Sequence, residues 1–279
     1  MNKQKADQLE KTVHNKGFHG KIPNVDAVLV DMDGVIRDVS NSYRKAIKKT
    51  VGILSGKEAS DDEVTKYKSP WIDEDGKLIP GINNDWECSY QILRNERDIL
   101  PTDAKREMVM KSVVSTFQGL YLGEKVNGEY TGFIRNERVL TDGKQLGRLM
   151  LGYRTGIISG APREEIIYTL KKADTPTYFE TIYAMEDLNE REDNPKARVI
   201  KAAMRKLLSR TACYLGDGVS DMKAAVAAGI VPIGILPAGI VDPTWSQKLV
   251  DAGAVAVFED VNQAIDLLVD VWKSNIGQR

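Results

Sequence analysis

The sequence predicts an α/β protein: a doubly wound parallel sheet interrupted once, early, by an all-helical insertion. Three observations carry this. The apolar run Ala27-Val28-Leu29-Val30 closes on Asp31-Met32-Asp33-Gly34, as a buried parallel strand entering a tight turn does. From Tyr153 onward, short strand-like runs alternate with helical periodicities. Between about residues 40 and 125 only helical periodicity is seen. Residues 1–37 and 130–279 are therefore expected to form the core, and 38–129 a second, helical domain.

Composition narrows the classes. Of 279 residues, 42% are hydrophobic and 28% charged, which suits a water-soluble globular chain. Lys plus Arg total 39 against 40 Asp plus Glu, so the basic surplus of a nucleic-acid binder is missing. No apolar run approaches the ~20 residues of a membrane span. The polar N-terminus lacks a signal-peptide core, so the cytoplasm is the expected location. Cys88 and Cys213 are expected as free thiols. His14 and His19 lie in a polar arm and suggest no histidine chemistry, so carboxylates must carry most of any reaction.

The elements follow in order. Met1 to Lys21 reads as a helix or ordered arm. Val39, Tyr43, Ala46, Ile47 and Val51 mark a helix that Ser40, Asn41 or Ser42 could cap and that Gly52 and Gly56 end. A short polar helix covers Asp61 to Lys68. A polar loop runs from Trp71 to Trp86, and Asp85 is read as the cap of a helix to about Leu100. Pro101-Thr102-Asp103 starts a helix through Tyr121. Val139 to Gly152 reads as a helix and Tyr153 to Ser159 as a strand. Helices open at Pro162 and Pro195, on either side of a weaker strand over Tyr178 to Ala184. Strands at Ala212–Leu215, Ile230–Leu236 and Val255–Phe258 then alternate with helices at Met222–Ala228, Trp245–Ala252 and Val261–Trp272.

Polar signals fall at the ends of these elements. Asp31 and Asp33 stand one residue apart at the carboxyl end of the first strand, where open α/β sheets bind ligands. Two carboxylates so close need a cation or a shared proton. Ser159-Gly160 ends a second strand, Lys196 opens a helix, and Asp217 and Asp221 follow a third strand. Each has a plainer reading as a turn, a solvated lysine or a helix cap. Together, in this order, they point to a site.

The stretches Asp31-Met32-Asp33-Gly34-Val35, Ile157-Ile158-Ser159-Gly160, Asp193-Asn194-Pro195-Lys196 and Gly216-Asp217-Gly218-Val219-Ser220-Asp221 resemble the motifs of the haloacid dehalogenase-like superfamily. The third departs slightly, since Ala197 stands where many relatives have proline. Only the interval from Asp31 to Ser159 can hold a domain, so the resemblance is to members with a helical cap after the first motif, phosphoglycolate phosphatase-like in type.

The resemblance implies a Rossmann-like core and a Mg²⁺-dependent phosphatase for a small-molecule phosphomonoester. Asp31 would be the nucleophile and Asp33 the acid/base. Ser159, Gly160, Gly34, Arg37 and Lys196 would hold the phosphoryl group. Asp31, Asp33 (through its carbonyl), Asp217 and Asp221 would hold the metal. Asp33 separates this chain from dehalogenases, which lack that second aspartate. Lys45, Lys48 and Lys49 look like a solvated face rather than a Schiff-base lysine. A phosphomutase of the β-phosphoglucomutase type, or a non-catalytic binding protein, stands as the alternative. No nucleic acid or membrane is implied, and the oligomeric state is not readable. Within the helical domain, Trp71, Trp86, Asn83, Asn84 and Asp85 could contact a small polar substrate, or could be domain core.

Overall fold

A computed structural model describes residues 22–68, 71–72, 78–79, 82, 84–97, 106–175, 179–189, 193–238 and 242–276. The N-terminal arm, residues 73–77, 80–81, 83 and 98–105 of the expected loops and helices, and residue 178 of the expected strand over 178–184 lie outside these. The chain divides into two units, one from Met1–Asp38 with Arg138–Arg279 and one from Val39–Glu137. The second crossing thus lies at 137/138, where the sequence reading placed it at 129/130.

The first unit begins with strand β1 (Ala27–Val30) and the short β2 (Arg37–Asp38). The second unit, taken by itself, contains helices α1 (Tyr43–Ser55), α2 (Asp61–Lys68), α3 (Asp85–Glu96) and α4 (Arg106–Tyr121). It is not all-helical. Antiparallel pairs β3 (Trp71–Ile72) with β4 (Leu78–Ile79) and β5 (Lys125–Val126) with β6 (Glu129–Tyr130) interrupt it. Helix α1 runs through Gly52 and stops at Gly56, whose φ of 77° is the left-handed turn that glycine adopts freely. Ile47, Val51, Ile92, Leu93, Val113 and Phe117 are buried. The rings of Tyr43 and Tyr121 stack 4.6 Å apart. Glu137 accepts from Ser42 Oγ (2.6 Å) and the Tyr121 hydroxyl (3.0 Å), which ties both ends of this unit together.

The chain re-enters the first unit through β7 (Arg138–Val139), then α5 (Gly143–Met150), β8 (Arg154–Ile158), α6 (Arg163–Lys172), β9 (Thr181–Tyr183) and α7 (Pro195–Lys206). It continues with β10 (Ala212–Gly216), α8 (Val219–Ala228), β11 (Val231–Ile235), α9 (Trp245–Asp251), β12 (Ala256–Phe258) and α10 (Val261–Ile276). Val139 to Asp142, expected as helix, instead continues β7 and a turn; the Asp142 carboxylate caps α5 by accepting from Gln145 N–H at 2.9 Å.

Six strands form a parallel sheet in the order β12-β11-β10-β1-β8-β9. Helices cover both faces. Val28 and Val30 of β1 join a core with residues of α5, α6 and α10. Ala27 and Leu29 join another with residues of α7 and α8. Both faces of β1 are therefore apolar, so its sequence shows no alternation. Val30 pairs with Leu215 on one side and Ile157 on the other. This register lines up the carboxyl ends of β1, β8 and β10. Strand order reverses at β1, which places the sheet's ligand crevice at those same ends.

Candidate active site

Asp31 follows β1 directly. Its Oδ1 accepts the Met32 N–H at 2.7 Å, and its Oδ2 lies 3.0 Å from Lys196 Nζ. Lys196 comes from the first turn of α7, where Asn194 caps the helix by accepting from Ala197 N–H at 3.0 Å and Pro195 occupies the first turn. The same ammonium also bonds Asp221 Oδ1. Asp221 opens α8, and its Oδ2 accepts the Gly218 N–H at 2.9 Å. Asp221 thus turns one oxygen to the start of its own helix and the other to Lys196.

Oxygens of Asp31, Asp217 and Asp221 all lie within 4.8 Å of one another. One lysine faces three carboxylates. Among the described residues the Asp217 carboxylate has no hydrogen bond or ion pair, so one of the three carboxylates has no direct partner. Burial pushes the Asp31 carboxyl up to about 7 against the pull of Lys196, with Asp221 and Asp33 adding repulsion. Asp217 is also raised well above its ordinary value, by burial and then by Asp221, Asp31 and Asp33. Burial disfavours the Lys196 charge, but Asp221 and Asp31 outweigh it and hold the ammonium well above its usual value. A set of hard oxygen donors with surplus charge fits a divalent cation such as Mg²⁺.

The glycines of the motifs have steric causes. Gly34 has φ of 71°, and a Cβ there would stand 2.0 Å from Asp217 Oδ2. A Cβ on Gly216 would meet Asp221 Cβ at 2.5 Å. Gly34 lets the first and fourth motifs approach this closely, and Gly216 lets the fourth fold back on Asp221.

Asp33 is not part of the carboxylate trio. Its Oδ1 takes the Nε–H of Arg37 at 2.5 Å, and its side chain is 30% exposed. Arg37, expected as a phosphate contact, turns its guanidinium to protein side chains instead. It is wholly buried, and it also reaches Glu165 Oε2 (3.2 Å) and Thr169 Oγ1 (3.5 Å) on α6. Ser159 is buried at the end of β8, where its Oγ accepts the Ala161 N–H at 3.2 Å; Gly160 beside it is exposed.

Three supports escaped the sequence reading. Tyr214 lies under Lys196, its ring centroid 5.4 Å from Nζ, and its hydroxyl donates to the Ile158 carbonyl at 2.7 Å. Trp245 Nε1 donates to the Asp217 carbonyl at 3.0 Å. Glu165 holds Arg37. In the helical unit, Asn84 rather than Asp85 caps α3, its Oδ1 accepting from the N–H groups of Trp86 (2.9 Å) and Glu87 (3.1 Å). Asp85 pairs with Lys68.

The family model of the haloacid dehalogenase-like hydrolases matches residues 25–229, which holds all four motif stretches. The chain belongs to that family. Within it, the haloacid dehalogenase-like chain is 22% identical over 219 residues to a phosphoglycolate phosphatase of Salmonella typhimurium, covering 77% of this chain and 82% of the relative. It is 27% identical over 244 residues to an imidazoleglycerol-phosphate dehydratase of Phytophthora nicotianae, covering 86% of this chain. The chain spans 48% of that relative's length. The fold resembles that of a predicted phosphoglycolate phosphatase from Haemophilus somnus 129PT, with TM-score 0.64 at 15% identity over 88% of this chain and 99% of that one. Among the described residues no helix is long and apolar enough to cross a membrane.

Proposed function

We propose that the chain is a Mg²⁺-dependent phosphatase acting on a small phosphomonoester through an aspartyl-phosphate on Asp31. The observation that carries this is the trio Asp31, Asp217 and Asp221, gathered at the strand ends with one lysine and with Asp33 set apart. Asp31, Asp217, Asp221 and the Asp33 carbonyl would hold the cation. When bound, Mg²⁺ neutralises the carboxylates and phosphoryl oxygens and so lets one anion approach another.

An Asp31 oxygen attacks phosphorus as the ester oxygen leaves. Asp33 gives that oxygen a proton, then takes one from the water that attacks the acyl-phosphate. Asp33 suits this duty because it lies outside the trio and keeps contact with solvent. Lys196 holds Asp31 in line and balances charge that grows on the phosphoryl oxygens. Ser159, Gly160 and Gly34 offer hydroxyl and amide donors for those oxygens.

Purified protein tested with Mg²⁺ against a panel of phosphorylated metabolites decides the matter. The panel should include phosphoglycolate and, given the match to the dehydratase, an imidazole-bearing phosphomonoester. Release of inorganic phosphate that EDTA abolishes is expected. Undiminished release in excess EDTA, or a beryllofluoride adduct on a residue other than Asp31, would overturn the assignment.

A further inference from the structure

We propose that Arg37 is the positioning residue for Asp33, and that Glu165 and Thr169 set its aim; this rests on the acid/base role assigned to Asp33 above. Arg37 is an unusual occupant of its place, a wholly buried arginine on β2, a strand of two residues. Its guanidinium spends three nitrogens on three different side chains: Nε on Asp33 Oδ1, NH2 on Glu165 Oε2 and NH1 on Thr169 Oγ1. Glu165 and Thr169 stand one turn apart on α6, so they present two acceptors along one helix face. Glu165 is itself only 2% exposed.

The backbone keeps the loop equally tight. Gly34 N–H donates to the Arg37 carbonyl (2.8 Å), and Arg37 N–H to that of Met32 (3.0 Å). A planar fork with several donors can hold this geometry; a single ammonium cannot span it. With Oδ1 gripped, the rotation of the Asp33 carboxylate is fixed, and so is the place of Oδ2. That oxygen is then the one to pass a proton to the leaving group. An acid held in place matters most when the leaving oxygen is a strong base. It matters little when the leaving group is a stable phenolate.

The test compares kcat/KM for an alkyl phosphate and for p-nitrophenyl phosphate, since that ratio reports steps up to phosphorylation of Asp31. In Arg37→Gln the alkyl ester should lose roughly tenfold or more beyond the loss for the nitrophenyl ester. In an Asp33→Asn background, Arg37→Gln should leave the ratio between the two esters unchanged. Arg37→Lys should not restore it. Glu165→Gln keeps the arginine but frees its far side, and should move the ratio the same way to a smaller extent. It carries the test if Arg37→Gln fails to fold. Equal losses on both esters in both variants, or a ratio that moves again in the Asp33→Asn background, would overturn the proposal. Wild-type protein inactive on both esters would instead overturn the phosphatase reading itself.

Discussion

Gly34→Ala separates two effects that glycine substitutions usually mix. The first is conformational: at φ of 71° an L-residue pays about 1–2 kcal/mol. For a chain of this size that lowers Tm by roughly 2–8 °C. The second is local: the new methyl carbon would lie 2.0 Å from Asp217 Oδ2 and 2.5 Å from its Cγ, where ordinary contact begins at 3.4 Å. The carboxylate must retreat by about 1.4 Å, out of the cluster it shares with Asp31 and Asp221. Moving a metal ligand this far should weaken Mg²⁺ binding by at least the roughly 10- to 100-fold that loss of an outer partner of a ligand causes. Gly229 supplies the control, since it has φ of 78° and nothing within 4 Å of its would-be Cβ. Gly229→Ala should show the drop in Tm alone. Thermal melting across a Mg²⁺ titration reads both quantities without relying on turnover. A Gly34→Ala protein whose Mg²⁺ midpoint matches that of Gly229→Ala would refute the reasoning.

Asp31→Asn should cut turnover by several orders of magnitude yet raise the Tm of the metal-free protein, because it removes one of three crowded carboxylates; a lowered Tm would contradict the charge count. Lys196→Met leaves Asp31 and Asp221 without their shared cation and should cost about 3–5 kcal/mol by denaturant titration in metal-free buffer. Asp31 binds its proton up to about pH 7 when folded, against an ordinary 3.8, so its proton-linked stability is fully present below about 3.8 and lost as pH rises through about 7. Metal-free Tm should therefore fall across that window, and saturating Mg²⁺ should flatten the fall; a Tm rising with pH there would count against it. Asn84→Ala should lose about 1 kcal/mol as a broken helix cap, with KM for any substrate unchanged. A selective rise in KM would restore Asn84 as a substrate contact.

The sheet was legible because β1 is buried on both faces and its apolar run needs no alternation to be recognised. The placement of Asp31, Ser159 and Asp217 at strand ends was legible from the apolar runs that precede them, and such ends are where ligands bind in these sheets. The position of Lys196 beside Asp31 and Asp221 could be expected only from the four motifs taken together, since a lysine in a first helical turn reads by itself as solvated. The contacts of Arg37 were not legible, since Glu165 and Thr169 come from a helix beyond the insertion, and no local spacing reports them. Tyr214 and Trp245 look like ordinary core aromatics; only their polar ends reveal support for the site. The pairs β3–β4 and β5–β6 have strands of two residues, too short for any periodicity to register. Asn84 and Asp85 are both good caps, and one residue of register cannot be read from composition.

The ribbon of β2 and β7 has a consequence for how such a chain can be rebuilt. Arg37 pairs with Val139 and Asp38 with Arg138, and Asp38 and Arg138 are the residues of the first unit that flank the insertion. The ladder closes there as a hairpin would, whatever length of chain lies between. Closing a long loop costs only slightly more than closing a short one, and here the core's own pairing anchors both ends. The insertion is thus a graft on a finished stem. Excising Val39–Glu137 and bridging Asp38 to Arg138 with a two-residue turn should leave every strand of the six-stranded sheet in its register, and the same stem could receive a helical unit from another member of the family.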